Sequence, residues 1–478
     1  MKTEITFYAG IHTIGGVVMS VVYGDHRVIL EIGTAYQPKT DVYDNYVRPR
    51  NEGRLYDELR LGRAPRVDGI YDRVHIRDLR NLEAAEDSKL HTAVFVSHLH
   101  LDHMSCMGYL SERVDVYLSD SAKCIETALE TVGLGNCNLR KVPYKPMYDM
   151  EPVMVGEIKV VPFLLCRQSY QDWSFYVETP DVKLHYTGDL MMHGVYKDAV
   201  LNEMNWVAAQ DPDILVCEAT TFMDSTMKMV YGTPNATVEP DVEMPEGMLD
   251  KCGLDLEMEK ILRQQKGLAI LNFYQREMAD VESFDKIAAN CGRTLVLEPE
   301  TGYVAWKFFK RPIPIFVPDD KRFLPNGELG RTEWYQELMA ANPRVTREEL
   351  FAAPEKYLLQ NSYEYVLGLF DLPDQGAAYL HAGGIPIGAY DPKYANLMRI
   401  LEHTGFTYST FFAKNYFSHA YPCQVKYYVD SIDARVLIPS HSEEPERLLP
   451  GPNGVQFIPE LGVTYTYEDG KMEEVSRK

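Results

Sequence analysis

Six consecutive residues, His98-Leu99-His100-Leu101-Asp102-His103, crowd three imidazoles and a carboxylate into a chain that holds only 13 histidines. A His-x-His-x-Asp-His string would arise from this composition by chance with a probability on the order of one in a thousand. Neutral imidazole and carboxylate are the donors that suit zinc, manganese or iron. Four donors on one short loop can hardly all serve a single ion, so the spacing implies two adjacent ions whose remaining ligands come from elsewhere. Three later places offer them: Asp189 in HYTGDL, where a glycine allows a tight turn, His441 in VLIPSHSEE, and His419 in NYFSHAYP.

Such donors need rigid elements behind them. The apolar run TAVFV must stop at Ser97, because the polar residues that follow could not stay buried unpaired. Asp189 and His441 likewise sit just past apolar strands. Upstream, GGVVMSVVYGDHRVILEIG contains two β-branched runs separated by Gly24-Asp25, a hairpin signal. HTAVFV, CIETALETVG, EIKVVPFLL, SFYVET, KLHYTG and DILVCEA then alternate strands with helices and turns, an α/β pattern of packed sheets flanked by helices. Residues 222–250 are rich in Met, Thr, Pro and acids and read as a connecting loop. GLAILNFYQREMADVESFDKIAANCGRTLVLEP reads as a parallel strand–helix–strand unit, which KYLLQ and AAYLHAGGIP continue. From about residue 396 the pattern returns to helix, strand and loop. The expectation is one α/β domain interrupted by a second.

Length and composition agree with that. A chain of 478 residues exceeds one ordinary core, and 45% of it is hydrophobic. No apolar run approaches the roughly 20 residues that span a bilayer. MKTEITFYAG shows no export signal, and the eight cysteines are scattered without a C-x-x-C pair, so a reducing, cytoplasmic setting is expected. Net charge is 48 − 70 = −22, which argues against non-specific nucleic-acid binding. One stretch runs the other way: residues 48–80 carry nine arginines against six acids, a local +3. Such a run is either a salt-bridged surface insertion or a contact for a polyanion.

HLHLDH, then TGD, then PSH resembles the metallo-β-lactamase superfamily. Within it, Glu218 after DILVC, the long insertion, FSHA and IPSHSE resemble the β-CASP group of RNA-processing nucleases, which includes ribonuclease J. The resemblance implies an α/β fold, an αββα metallo-β-lactamase sandwich (residues 1–219 and 396–478) with an inserted β-CASP α/β domain (220–395). It implies that His98 and His100 hold one ion, that Asp102, His103 and His441 hold the other, and that Asp189 bridges the two. Asp102, Glu218 and His419 would be catalytic, Glu218 orienting a His419 that stabilises a non-bridging oxygen or protonates the leaving oxygen. Ser418 and His381, the latter in the glycine-rich HAGGIPIG, would contact substrate. Zinc is the implied cofactor, one or two ions per chain, with manganese as an alternative. An RNA substrate is implied, running between the two domains, with no membrane partner; a homodimer is allowed. Two adjacent cations supply a hydroxide nucleophile at neutral pH and offset charge on a phosphorane-like transition state.

Two departures stand out. The superfamily places a further histidine between HxHxDH and TGD, where this chain has Cys166-Arg-Gln168-Ser169. The amide of Gln168 is a weaker donor than imidazole. A thiolate from Cys166, substitution by His185 or His193, and a weakened or mononuclear site are the alternatives. Glu31 in VILEIG stands where an aspartate commonly braces the metal loop. The leading reading is therefore a metal-dependent phosphodiesterase cleaving RNA. Its alternatives are a metallo-hydrolase of a small non-nucleic substrate, favoured by the net charge, and a metal-depleted relative that binds RNA or protein, motivated by Gln168.

Overall fold

The computed structural model describes residues 1–475 apart from 38, 40–41, 44–46, 51–52, 136–143, 166–171, 224, 227–244, 246 and 412–415. Cys166, Gln168 and Ser169 lie outside the described residues, as does most of the connecting stretch 222–250.

The chain lays down three sheets in turn and then returns to the first two. Strands β1 (Glu4–Ala9), β2 (Val18–Tyr23), β3 (His26–Leu30), β4 (His91–Phe95), β5 (Asp115–Leu118) and β6 (Lys145–Pro146) begin the first sheet. Strands β7 (Val153–Val155), β8 (Ile158–Leu164), β9 (Trp173–Glu178), β10 (Lys183–Tyr186) and β11 (Ile214–Glu218) begin the second. A third is formed by β12 (Ala269–Phe273), β13 (Thr294–Val296), β14 (Tyr357–Gln360), β15 (Ala378–Ala382) and β16 (Thr407–Thr410). Then β17 (Val436–Ser440) and β18 (Val455–Gln456) extend the second sheet beside β11, and β19 (Thr464–Glu468) and β20 (Lys471–Glu474) extend the first beside β1. The Gly24-Asp25 hairpin is present, with Tyr23 opposite His26.

The first two sheets pack face to face. Ile5, Phe7, Val28 and Phe95 from one meet Val160, Phe175, Leu184, Ile214 and Val436 from the other in a single buried cluster. Alternation along the strands sends the opposite residues outward. Val161, Tyr176, Leu215 and Leu437 meet the helices Lys197–Ala209 and Pro422–Ile432. On the far side, Ile29, Val94 and Val116 meet Ile125 and Leu129 of the helix Asp120–Val132. The result is a helix–sheet–sheet–helix sandwich.

The third sheet is wholly parallel, in the order β13-β14-β12-β15-β16. The strand–helix–strand unit read from GLAILNFYQ…TLVL is formed, but its two strands are not neighbours: β14 lies between them. The sheet also continues beyond residue 395. The helix Pro392–Leu401 buries Leu397 and Leu401 against Tyr379 and Val366, and β16 pairs with β15. The helix Pro299–Phe309 packs on Asp120–Val132 and so seats this segment on the outer face of the sandwich. No described helix is long and apolar enough to cross a membrane.

Candidate metal centre

The ends of β3, β4, β10, β11 and β17 converge at one edge of the paired sheets. After β4 the chain passes His98, reaches His100 in extended backbone and turns through Leu101–Met104. Backbone bonds clamp that turn: Ile32 N–H to His103 O at 2.9 Å and Gly16 N–H to Asp102 O at 2.9 Å. The approach requires glycine. A Cβ on Gly33 would stand 1.9 Å from the Asp102 carbonyl oxygen, and one on Gly15, whose φ is +68°, would stand 2.0 Å from Asp102 Oδ2. Glu31 and His441 themselves adopt left-handed backbone, φ 64° and 56°, strain of a kind that functional sites concentrate.

Five of the residues singled out from the sequence meet within this edge. Ligand atoms of Asp102, His103 and His441 lie within 4.8 Å of one another, and so do those of His98, His103 and Asp189. His441 Nε2 is 3.2 Å from Asp102 Oδ2 and 3.6 Å from Asp189 Oδ1; His103 Nε2 is 3.3 Å from Asp189 Oδ1; His98 Nε2 is 3.5 Å from Asp189 Oδ2. Asp189 thus faces both groups. His98 falls in with His103 and Asp189, and its ring centroid stands 4.4 Å from that of His100.

The opposite ring nitrogens are held by a surrounding layer. Ser97 Oγ lies 2.8 Å from His98 Nδ1, and Glu31 Oε1 lies 3.4 Å from His103 Nδ1 while its carboxylate accepts the Ser97 N–H. Thr220 Oγ1 donates to Glu218 and stands 2.7 Å from His441 Nδ1. A hydroxyl has one proton, so Thr220 must accept from Nδ1–H, leaving Nε2 of His441 as the ligand atom. Glu218 also accepts from the Leu190 N–H at 2.6 Å and from His419 Nδ1 at 3.0 Å. His419 Nε2 is 3.8 Å from Asp189 Oδ2, and the ring keeps 17% of its surface exposed. Ser418 is half-buried next to it in the chain. Thr220 and the two glycines carry no signal in the sequence, because their roles depend on partners far away in the chain; Ser97, legible only as the end of a strand, holds its immediate neighbour His98.

The donor set fits a cation. The ion-facing nitrogen of the buried His103, Nε2, makes no hydrogen bond of ordinary geometry among the described residues and stands between the Asp189 and Asp102 carboxylates at 3.3 and 3.6 Å. Burial pushes the His103 ring down, but the Asp189 and Asp102 carboxylates overcome it and hold the ring well above the ordinary histidine range. His441 is raised in the same way, against burial, by Asp189 and Asp102. Asp102 is pushed up by burial and drawn down further by His103 and His441, ending well below the usual carboxylate range. Glu218 is likewise lowered, burial being outweighed by the charge and hydrogen bond of His419. The cluster therefore draws positive charge inward, which a divalent ion supplies while displacing protons.

Other candidates lie elsewhere. His185 is buried in the sandwich, 2.9 Å from Tyr428 Oη and 2.6 Å from Glu203 Oε1, and His193 engages Gln424 and the Phe417 carbonyl at 2.9 Å each. Neither belongs to the two donor groups found among the described residues. His381 is fully buried in β15 with Nε2 2.9 Å from the Pro386 carbonyl, so its ring is not presented to a cleft. In the arginine-rich stretch, Arg54 and Arg63 pair with Glu58 at 3.3 and 2.8 Å, Arg50 with Asp57 at 2.7 Å, Arg73 with Asp87 at 2.5 Å, and Arg66 donates to the Arg80 carbonyl. That is the pattern of a salt-bridged surface insertion. A cavity of about 400 Å³ lies in the third-sheet segment between Glu298, Phe316 and Tyr365, lined by none of the cluster residues.

No known protein family matches the sequence, and no curated protein matches it. Among solved structures, a protein of unknown function from Enterococcus faecalis V583 aligns over 98% of this chain and 100% of its own, with a TM-score of 0.74 and 23% identity. That likeness shows a shared fold over the whole length. The metallo-β-lactamase fold protein YhfI from Bacillus subtilis matches 48% of this chain and 76% of its own at 15% identity, TM-score 0.29. The MIM-2 metallo-β-lactamase matches 45% and 72% at 13% identity, TM-score 0.26. Fold and site together define the class: a two-sheet α/β sandwich with a histidine–carboxylate centre at one sheet edge and a parallel-sheet segment between β11 and β17.

Proposed function

We propose that the chain is a metal-dependent phosphodiesterase of the β-CASP type that cleaves RNA. The observation that carries this reading is the position of the His419–Glu218 pair, with His419 Nε2 3.8 Å from Asp189 and Asp189 facing both ligand groups. His98, His103, Asp189, Asp102 and His441 would hold one or two zinc or manganese ions, with His100 beside them. Such ions supply charge neutralisation on phosphate oxygens and a nucleophile at neutral pH.

The protein's own residues do the rest. Glu218 accepts from Nδ1–H of His419, so the proton exchanged with a leaving oxygen sits on Nε2. Thr220 links that pair to His441, so the proton-handling group and the ligand shell share one carboxylate. Purified protein loaded with zinc or manganese is expected to cleave RNA, and His419→Ala to lose about 10²–10⁴-fold in rate while keeping its metal content. No cleavage by metal-loaded protein, beside an active control nuclease, would overturn the reading.

A hydrolase of a small, non-nucleic substrate is the second reading, favoured by the internal pairing of the arginines between Arg50 and Arg73. Salt separates the two: binding of a polyanion weakens steeply as salt rises, and binding of a neutral ester does not.

A further inference from the structure

Four histidines of the cluster, His98, His103, His419 and His441, turn Nδ1 to a partner from the sandwich and Nε2 toward the aspartates. His100 is reversed. Its Nε2 makes a close contact with Glu277, a residue from the segment that follows β12 and lies 177 positions away. Glu277 is 4% exposed and His100 20%. The contact has company: Tyr274 sets its ring edge-on to His100, centroids 5.2 Å apart, and buried Arg276 donates to the Leu99 carbonyl at 3.3 Å. Residues 274–277 thus hold the metal loop at three places from outside the sandwich.

An ionised carboxylate only accepts, so the nitrogen facing Glu277 carries the proton and Nδ1 is the remaining ligand atom of His100. We infer that Glu277 is a positioning residue of the metal centre, one that fixes the tautomer and orientation of His100 for an ion held through Nδ1. This rests on the metal-centre reading above. Uptake of the second ion then depends on the third-sheet segment being seated on the sandwich.

The test is metal binding, read without activity. Chelator-stripped full-length protein is titrated with Co²⁺ by calorimetry and by visible absorbance, alongside Glu277→Gln, Glu277→Ala, His100→Ala and the double variant. Two binding steps are expected for the wild type. Glu277→Gln should weaken the looser step about 10–100-fold and leave the tighter one unchanged. His100→Ala should remove the same step, and adding Glu277→Ala to it should cost nothing further. Unchanged affinities in Glu277→Gln would overturn the inference while leaving the metal centre standing. Loss of both steps together with a lowered melting temperature would reduce Glu277 to a structural role and equally overturn it. A wild type that takes up no ion would overturn the metal-centre reading and this one with it.

Discussion

At the scale of single residues, the donors are arranged by what each ring nitrogen touches on its far side. Thr220 is the clearest instance, since one hydroxyl proton settles the tautomer of His441 and ties it to Glu218. Thr220→Val keeps the shape and removes the oxygen; metal affinity measured by competition with a chelator should fall about 10–100-fold with little change in melting temperature. A second residue-scale prediction lies away from the centre. Burial pushes the Glu298 carboxyl from 4.5 up to about 8. Below pH 4.5 folded and unfolded states both hold the proton. Between pH 4.5 and about 8 only the folded state holds it, so stability falls as pH rises through that window, by on the order of 5 kcal/mol at most. Glu298→Gln cannot ionise: by urea denaturation it should match the wild type near pH 5 and exceed it near pH 9.

At the scale of elements, the metal loop is a turn wedged under two glycines. Gly33→Ala would drive a Cβ into the Asp102 carbonyl, and the loop must shift to relieve it. The expected outcome is loss of metal uptake with the far-ultraviolet circular dichroism of the sandwich retained. Much of the element order was legible in the sequence, because strand ends and hairpins are local: VFV stops before the histidines, and Gly24-Asp25 turns β2 into β3. The third sheet was less so. Its strand–helix–strand unit carries no mark of β14 entering between β12 and β13. The helix at 392–401 has an apolar stripe that would serve either sheet system, and only its packing on Tyr379 and Val366 assigns it to the third.

At the scale of the whole molecule, a segment of parallel strands is fastened to the sandwich beside its histidine–carboxylate edge. Arg276 is a main fastener: 5% exposed, it donates to the carbonyls of Leu99, Leu134 and Gly135 and stands 3.9 Å from Glu126. Arg276→Ala strands those acceptors and should cost about 2–4 kcal/mol, read as a lower melting midpoint and as faster limited proteolysis within residues 274–300. By itself the sequence determined which side chains could act as donors, because a ligand must stand where an apolar strand ends and its type must be imidazole or carboxylate. Only the tertiary structure decided how they are grouped: His98 with His103 and Asp189, His441 held by Thr220, and His100 turned to Glu277. The reason is physical. A ring has two nitrogens, and which one is left to meet an ion is settled by a hydrogen bond to the other, made at His441 and His100 by residues that only the packing of sheets and segment brings alongside.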